Sequence, residues 1–156
     1  MLTGADIEAV FNACFHDYAT TLAGGFDEPF YRAGPPAQIQ YRADFLRSAL
    51  HETAHWCVAG SYRRTQDDYG YWYEADGRDA DQQREFERVE VVPQAIESLF
   101  CDALAIEFTP SIDNLTAPPA TITNFQTAIA EAAKRIALRD DRLTRAHRFI
   151  AALKGL

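Results

Sequence analysis

The chain has 156 residues, 47% of them hydrophobic and 24% charged, a balance that excludes an intrinsically disordered protein. Lys and Arg number 15 against 23 Asp and Glu, so the net charge is −8. Because phosphate contacts need a basic face, nucleic-acid binding is not expected. The length fits one domain spanning residues 1–156.

Cysteine usage and the N-terminus bear on location. The three cysteines, Cys14, Cys57 and Cys101, are widely spaced, which is typical of a reducing compartment and not of a disulfide framework. Residues 1–15 lack the basic segment and apolar run of a signal peptide. No apolar stretch reaches the ~18 residues that span a bilayer. We therefore expect a cytoplasmic protein without membrane attachment.

The N-terminal part predicts one helix followed by extended segments. Apolar residues recur every three or four positions over Ala5–Leu22, which predicts a helix. Thr3 is expected to cap its start, and the glycine pair at 24–25 is expected to end it. Residues 26–34 read as extended, and Ile39 and Tyr41 indicate a further short strand.

The next segment carries the motif HETAH at residues 51–55. A helix is expected over Phe45–Ala59, with Asp44 as its cap and Gly60 as its terminator. The aromatic run at 67–73 predicts a strand. A turn is expected to follow this strand.

The C-terminal half predicts further helices. Residues 80–88 suggest a short polar helix, and a separate helix is expected over 91–107, because proline is tolerated only in a first turn. A loop at 109–119 precedes expected helices from Thr123 or Asn124 to Leu138 and from Arg142 to Leu153. The predicted fold is a helix-rich α+β domain with a small sheet and a metal site between two core helices.

The HETAH motif predicts divalent-metal binding. His51 and His55 are four residues apart, which places both imidazoles on one face of a helix. Glu52 occupies the position of the general base in H-E-x-x-H zinc hydrolases. The surrounding residues are uncharged, so the helix should be buried on most sides, where unpaired polar groups are costly. The alternative is a chance match with two hydrogen-bonded core histidines.

Two histidines need a third ligand from elsewhere in the chain. The extended zinc motif H-E-x-x-H-x-x-G-x-x-H is excluded, because Val58 and Ser61 stand where Gly and His are required. A carboxylate is expected instead, and Glu90 is preferred because it lies at the start of a predicted helix. Glu87 and Glu97 remain alternatives. All three carboxylates could also cap a helix or face solvent.

The ligand types alone do not choose the metal. Two histidines and one carboxylate leave coordination positions open, which suits hydrolysis with zinc. The same set is the facial triad of oxygen-activating Fe(II) enzymes. For H-E-x-x-H in isolation, zinc and hydrolysis are favoured.

A second cluster could bind a cationic group. Its aromatic and acidic members are Tyr71, Trp72, Tyr73, Glu74, Asp76 and Asp79. An aromatic wall beside carboxylates can hold a long cationic side chain through cation–π contacts and ion pairs. The alternative is an aromatic strand in the core that ends in an acidic turn.

Four blocks, in this order, resemble the bacterial elongation factor P hydroxylase family: ALHETAHWCVAG, DYGYWYEADGRDA, FERVEVVPQAIESLFC and DNL. The likeness begins at FNACF (11–15), continues through GGFDEPFY (24–31) and ends near HRFIAALK (147–154). In this family a lysine of elongation factor P first receives a β-lysyl group, and the modified side chain is then hydroxylated. The resemblance implies a fold similar to that of a bacterial metal-dependent ribonuclease family.

The resemblance also implies a non-haem iron site. His51 and His55 match the metal-binding histidines, and a glutamate of ERVEVVPQA, which we place at Glu90, matches the carboxylate. Fe(II) replaces zinc in this interpretation, because zinc cannot supply electrons. Glu52 matches the motif glutamate, where it could position a water or accept a proton from the substrate ammonium.

The implied partner is elongation factor P bearing a β-lysylated lysine. The ammonium groups of this side chain could be received by Glu74, Asp76 or Asp79, beside the rings of Tyr71 and Tyr73. Two rival functions remain open at this point. One is a zinc-dependent peptidase or nuclease-like hydrolase, and the other is a non-enzymatic binding module, which would need a fourth protein ligand.

Overall fold

The structure is a computed structural model that describes residues 1–71, 79–111, 119–138 and 141–156. Its described helices are α1 (Gly4–Cys14), α2 (Leu46–Val58), α3 (Ala80–Ala103), α4 (Pro119–Ala137) and α5 (Thr144–Leu153). Its described strands are β1 (Thr20–Phe26), β2 (Phe30–Arg32) and β3 (Ala37–Arg42). The predicted helix-rich α+β class is therefore confirmed.

The sheet has the strand order β1-β3-β2. Strand β3 pairs in parallel with β1 and antiparallel with β2. Leu22 lies opposite Ile39 on β3, and Tyr31 of β2 lies opposite the same residue; all three are buried. The short strand expected at Ile39 and Tyr41 is confirmed, and β2 falls within the segment that was expected to be extended.

The first helix is shorter than predicted. Thr3 caps it as expected, and its amide donates to Asp6 Oδ2 at 2.8 Å. The helix ends at Cys14, and a 3-10 turn at His16–Tyr18 followed by a left-handed residue at Ala19 (φ 48°) then directs the chain into β1. Gly24 therefore lies in a strand and does not end a helix. A Cβ there would lie 2.4 Å from Cζ of Tyr41, so the close approach of the strand requires glycine.

Helix α2 begins without the predicted cap. Phe45 occupies the N-cap position, and the carboxylate of Asp44 accepts from the amide of Ala5 at 2.7 Å. The prediction of Asp44 as the cap was therefore wrong, because its side chain fastens the first turn of α1 instead. Behind α2, Trp56 is fully buried against the rings of Phe11 and Phe15.

Helix α3 joins two helices that were predicted separately. Pro93 lies inside it, where its missing N–H leaves the carbonyl of Val89 without the usual helical donor. Packing of α3 against α2, α4 and α5 continues the helix through the proline. Glu90 consequently lies in mid-helix and not at a helix start, and α3 ends at Ala103, before the predicted Glu107.

The strand predicted at 67–73 was wrong over its described part. Residues Asp67–Gly70 form short 3-10 turns, with Asp68 (φ 48°) and Tyr69 (φ 61°) in left-handed conformations. The ring of Tyr69 stacks on Tyr31 with centroids 4.2 Å apart. Tyr69 therefore packs through turn geometry and not through a sheet. The turn expected at 74–77 lies outside the described residues.

The last two helices begin away from their predicted starts. Helix α4 begins at Pro119, before the expected cap, and α5 begins at Thr144 after a short 3-10 turn at Asp141–Leu143.

All three cysteines are free, and burial raises the pKa of the Cys57 thiol to about 12. Among the described helices, none combines the length and apolar character needed to cross a membrane.

Candidate metal centre

Three predicted ligand residues meet between α2 and α3. His51 and His55 lie one turn apart on α2, with ring centroids separated by 4.8 Å. Glu90 approaches both rings from α3. One ligand atom from each residue lies within 4.8 Å of the other two. This spacing is suited to a single ion held by two imidazole nitrogens and one carboxylate oxygen.

The carboxylate of Glu90 supports this interpretation. The side chain is almost fully buried, and Oε2 lies 2.7 Å from Nε2 of His55, whereas Oε1 lies 3.6 Å from Nε2 of His51. Apart from the imidazole of His55, Oε2 has no polar partner among the described residues. A buried carboxylate is costly unless a positive charge compensates it, and a metal ion between Glu90 and the two histidines would do so. The residues present therefore fit a divalent metal.

The electrostatics of the centre favour a cation. Burial raises the pKa of Glu90, but the neighbouring His55 and His51 outweigh this effect and hold that pKa well below its usual range. Burial lowers the pKa of His51, and Glu90 and Glu97 more than reverse it, so the net pKa is well above its usual value. The negative charge that holds a proton on His51 in this state would equally attract a metal ion.

Glu97, an alternative ligand in the sequence, contacts the opposite side of His51. Its Oε1 lies 2.7 Å from Nδ1 of the ring, away from the Nε2 atom that faces Glu90. Its Oε2 accepts from Nε of Arg47 at 2.8 Å. Glu87, the other alternative, is half-buried and is not a member of the three-residue cluster. Arg47 was not identified from the sequence, although it stands one helical turn before His51.

The centre opens into a cavity of about 780 Å³. Glu52, Asp68 and Tyr69 line it together with the three candidate ligands. Burial raises the pKa of Glu52 above its usual value. The hydroxyl of Tyr69 is buried and has no hydrogen-bond partner among the described residues. The cavity therefore places two carboxylates and a phenol beside the metal centre.

The predicted substrate contacts have different positions. Tyr71 lines the cavity, and the guanidinium of Arg63 lies 3.8 Å from its ring centroid. Asp79 is exposed and caps α3 by accepting from the amide of Gln82 at 2.8 Å, and it does not line the cavity. Tyr73 and Asp76 lie outside the described residues, as do Trp72 and Glu74.

Asp68 and Tyr69 were not singled out as site residues. They stand at the beginning of the same sequence block as Tyr71, but the block was interpreted as a strand. In a strand, neighbouring side chains point to opposite faces. The left-handed turn brings both residues to the cavity instead.

Comparison with known proteins identifies the family. A family model described as elongation factor P hydroxylase matches residues 10–156. The chain belongs to the elongation factor P hydroxylase family. A curated relative from Haemophilus influenzae, named elongation factor P lysine hydroxylase, is 46% identical over 134 residues, which cover 83% of this chain and 75% of the relative. The family resemblance is thus confirmed, and the enzyme is a hydroxylase and not a hydrolase.

Proposed function

We propose that this enzyme hydroxylates a lysine side chain of elongation factor P, with a divalent metal held by His51, His55 and Glu90. The observation that carries the proposal is the buried carboxylate of Glu90, whose oxygens lie 2.7 Å from Nε2 of His55 and 3.6 Å from Nε2 of His51, within reach of one ion. Membership in the hydroxylase family supplies the reaction class. Residues 1–156 would act as one hydroxylase domain, in the cytoplasm, where a translation factor is used.

The proposed metal is Fe(II). Hydroxylation is an oxidation, and Zn²⁺ has no redox chemistry to support it. Two histidines and one carboxylate form the ligand set of non-haem Fe(II) oxygenases, in which the bound ion supplies electrons for the activation of dioxygen. The protein's part is to hold the ion with His51, His55 and Glu90 and to present the substrate carbon beside it.

The proposed substrate is the β-lysylated form of the lysine, whose side chain ends in ammonium groups. Glu52 and Asp68 both line the cavity and offer carboxylates to such a cation. Nearby arginines are already engaged, since Arg47 pairs with Glu97 and Arg63 donates to the carbonyl of Tyr69 at 2.9 Å. A cationic side chain beside Glu52 would stabilise its carboxylate and so oppose the rise in pKa that burial causes.

Tyr71 and the predicted residues outside the described part of the chain complete this substrate proposal. Tyr71 would form part of an aromatic wall beside the bound ammonium chain. Tyr73 and Asp76 would extend the contact surface. Asp79 would contribute only through the start of α3, because its carboxylate already accepts from Gln82.

Glu52→Gln should separate metal binding from turnover. We expect this variant to keep the metal, because Glu52 is not one of the three clustered ligands. We also propose Glu52 as an acid–base group beside the metal, so hydroxylation should fall by about 100-fold or more, since such a positioned group contributes about 10²–10⁴-fold. Metal content by mass spectrometry and hydroxylation rate would be measured together.

The matched control for Glu52→Gln is Glu87→Gln, on α3 but outside the cavity lining, which should retain both metal and activity. Loss of metal from Glu52→Gln would make Glu52 a ligand and contradict its assigned role.

The proposed function is tested by reconstitution. Metal-free enzyme would be loaded anaerobically with Fe(II) or Zn²⁺ and incubated with dioxygen, a reductant and elongation factor P, either β-lysylated or unmodified. Intact mass should show the gain of one oxygen only with Fe(II) and the β-lysylated factor. His55→Ala should show no gain. Activity of the zinc-loaded enzyme as a hydrolase, with no oxygen gained under any condition, would contradict the proposal.

A further inference from the structure

A continuous series of polar contacts leads from His51 to the cavity wall. Nδ1 of His51 lies 2.7 Å from Oε1 of Glu97. Oε2 of Glu97 accepts from Nε and Nη2 of Arg47, at 2.8 and 2.5 Å. Nη2 of Arg47 also donates to the carbonyl of Thr109 at 3.0 Å. Arg47 therefore contacts Glu97, the partner of His51, on one side and the chain after α3 on the other.

Glu97 is placed to fix the orientation and tautomer of His51. A carboxylate at Nδ1 holds the proton on that nitrogen, which leaves the Nε2 lone pair for a metal. Glu97 is only 3% exposed, so its carboxylate is shielded from bulk water where it contacts the ring. The two planar contacts from Arg47 compensate the buried charge of Glu97.

Helical spacing brings Glu97 and Arg47 next to the candidate ligands on the same two helices. Glu90 and Glu97 are seven residues apart on α3, and Arg47 and His51 are four apart on α2, so each pair shares one helix face. The candidate ligands would contact the metal directly, whereas Glu97 and Arg47 lie behind His51. Because both sets of residues lie on α2 and α3, the packing of these two helices positions the ligands and their partners at once.

The cavity wall is fastened to the same helices. Thr109 and Ser111 line the cavity. Arg47 binds the carbonyl of Thr109, while the buried amide side chain of Gln94 donates to the carbonyl of Ser111 at 2.7 Å and accepts from its amide at 2.9 Å. One attachment therefore runs through Arg47 and the other is independent of it.

We infer that Glu97 and Arg47 are a positioning pair that fixes His51 for metal binding and couples the metal centre to the cavity wall at Thr109. The inference rests on the metal site of the proposed function, but it does not depend on the hydroxylation reaction. Arg47 acts through Glu97 on the metal and directly on the wall.

Co²⁺ binding provides the test. Glu97→Gln keeps the shape of the side chain but removes its charge. We expect it to lower Co²⁺ affinity, measured by competition with a chelator, by about 10- to 100-fold, as for other outer partners of metal-bound histidines. The visible absorption of bound Co²⁺ should also change. Arg47→Met should act in the same direction, and Arg47→Lys should recover part of the loss.

The double variant distinguishes a positioning pair from two separate effects. If Arg47 acts on the metal through Glu97, Arg47→Met should add little to the loss of affinity already caused by Glu97→Gln. The matched control is the exposed pair Glu85 and Arg88 on α3, whose side chains lie 2.6 Å apart. Glu85→Gln and Arg88→Met should leave Co²⁺ affinity and absorption unchanged.

Two results would overturn the inference. One is wild-type Co²⁺ affinity and absorption in Glu97→Gln, and the other is additive losses in the double variant. Thermal unfolding of the metal-free proteins checks that each variant folds. If Glu97→Gln does not fold, the Co²⁺ affinity of Arg47→Met decides instead, because Arg47 is partly exposed and its replacement should be tolerated. Wild-type Co²⁺ affinity in Arg47→Met would then overturn the inference. Unchanged Co²⁺ binding in His51→Ala would instead show that the metal site itself is wrong. Absence of hydroxylation with these Co²⁺ results intact would overturn only the proposed reaction.

Discussion

Glu90→Gln is expected to lose metal binding almost completely. The substitution keeps the size of the side chain but removes the negative charge that faces His51 and His55 at 3.6 and 2.7 Å. Loss of an outer partner costs about 10- to 100-fold in affinity, so loss of a ligand should cost more than about 100-fold. Titration with Co²⁺ or Fe(II) under anaerobic conditions would measure the change, and hydroxylation should be lost with it.

Glu87→Gln is the appropriate control for Glu90→Gln. Glu87 lies one turn earlier on α3, is half-buried and is absent from the ligand cluster. Its replacement should leave metal affinity at the wild-type level. A reversed pattern, with metal lost in Glu87→Gln and kept in Glu90→Gln, would assign the third ligand to Glu87.

Phe11→Ala is expected to destabilise the fold by about 3–5 kcal/mol, the usual cost of truncating a buried phenylalanine. Phe11 is fully buried, and its ring centroid lies 5.0 Å from that of Phe15, 5.1 Å from that of Trp56 and 6.1 Å from that of Phe149. It thereby joins α1, α2 and α5 behind the helix that carries both histidines. Urea unfolding of the metal-free protein would measure the loss.

An exposed phenylalanine provides the comparison for Phe11→Ala. Phe45 is 55% exposed at the start of α2, so Phe45→Ala should change the free energy of unfolding by less than about 1 kcal/mol. Equal effects of the two substitutions would mean that the aromatic cluster around Phe11 does not stabilise α2.

The histidine pair could be predicted because its geometry is local. His51 and His55 lie within one helical turn, and helix periodicity alone brings their rings together. Glu90 is distant in sequence, and its choice over Glu87 and Glu97 depended on a helix start that does not exist. Pro93 suggested this start, whereas tertiary packing continues α3 through the proline. The structure brings Glu90 to the histidines from the middle of that helix.

The other features that the sequence did not predict arise from interactions between segments distant in sequence. The apolar spacing of residues 15–22 fits a helix, but pairing with β3 makes Thr20–Phe26 a strand. Arg47 and Glu97 are 50 residues apart, and no local pattern indicates that they pair beside His51. Asp68 reaches the cavity through a left-handed turn that its sequence does not require. These features depend on packing between distant segments, which the periodicity of apolar residues does not encode.

The most direct test of the central claim is the origin and position of the transferred oxygen. Iron-loaded enzyme would be incubated with β-lysylated elongation factor P and a reductant under isotopically heavy dioxygen. The factor would then be digested and its lysine-bearing peptide sequenced by mass spectrometry. The proposed chemistry at His51, His55 and Glu90 predicts one heavy oxygen atom on the modified lysine side chain. No added oxygen, or an oxygen that derives from water, would contradict it.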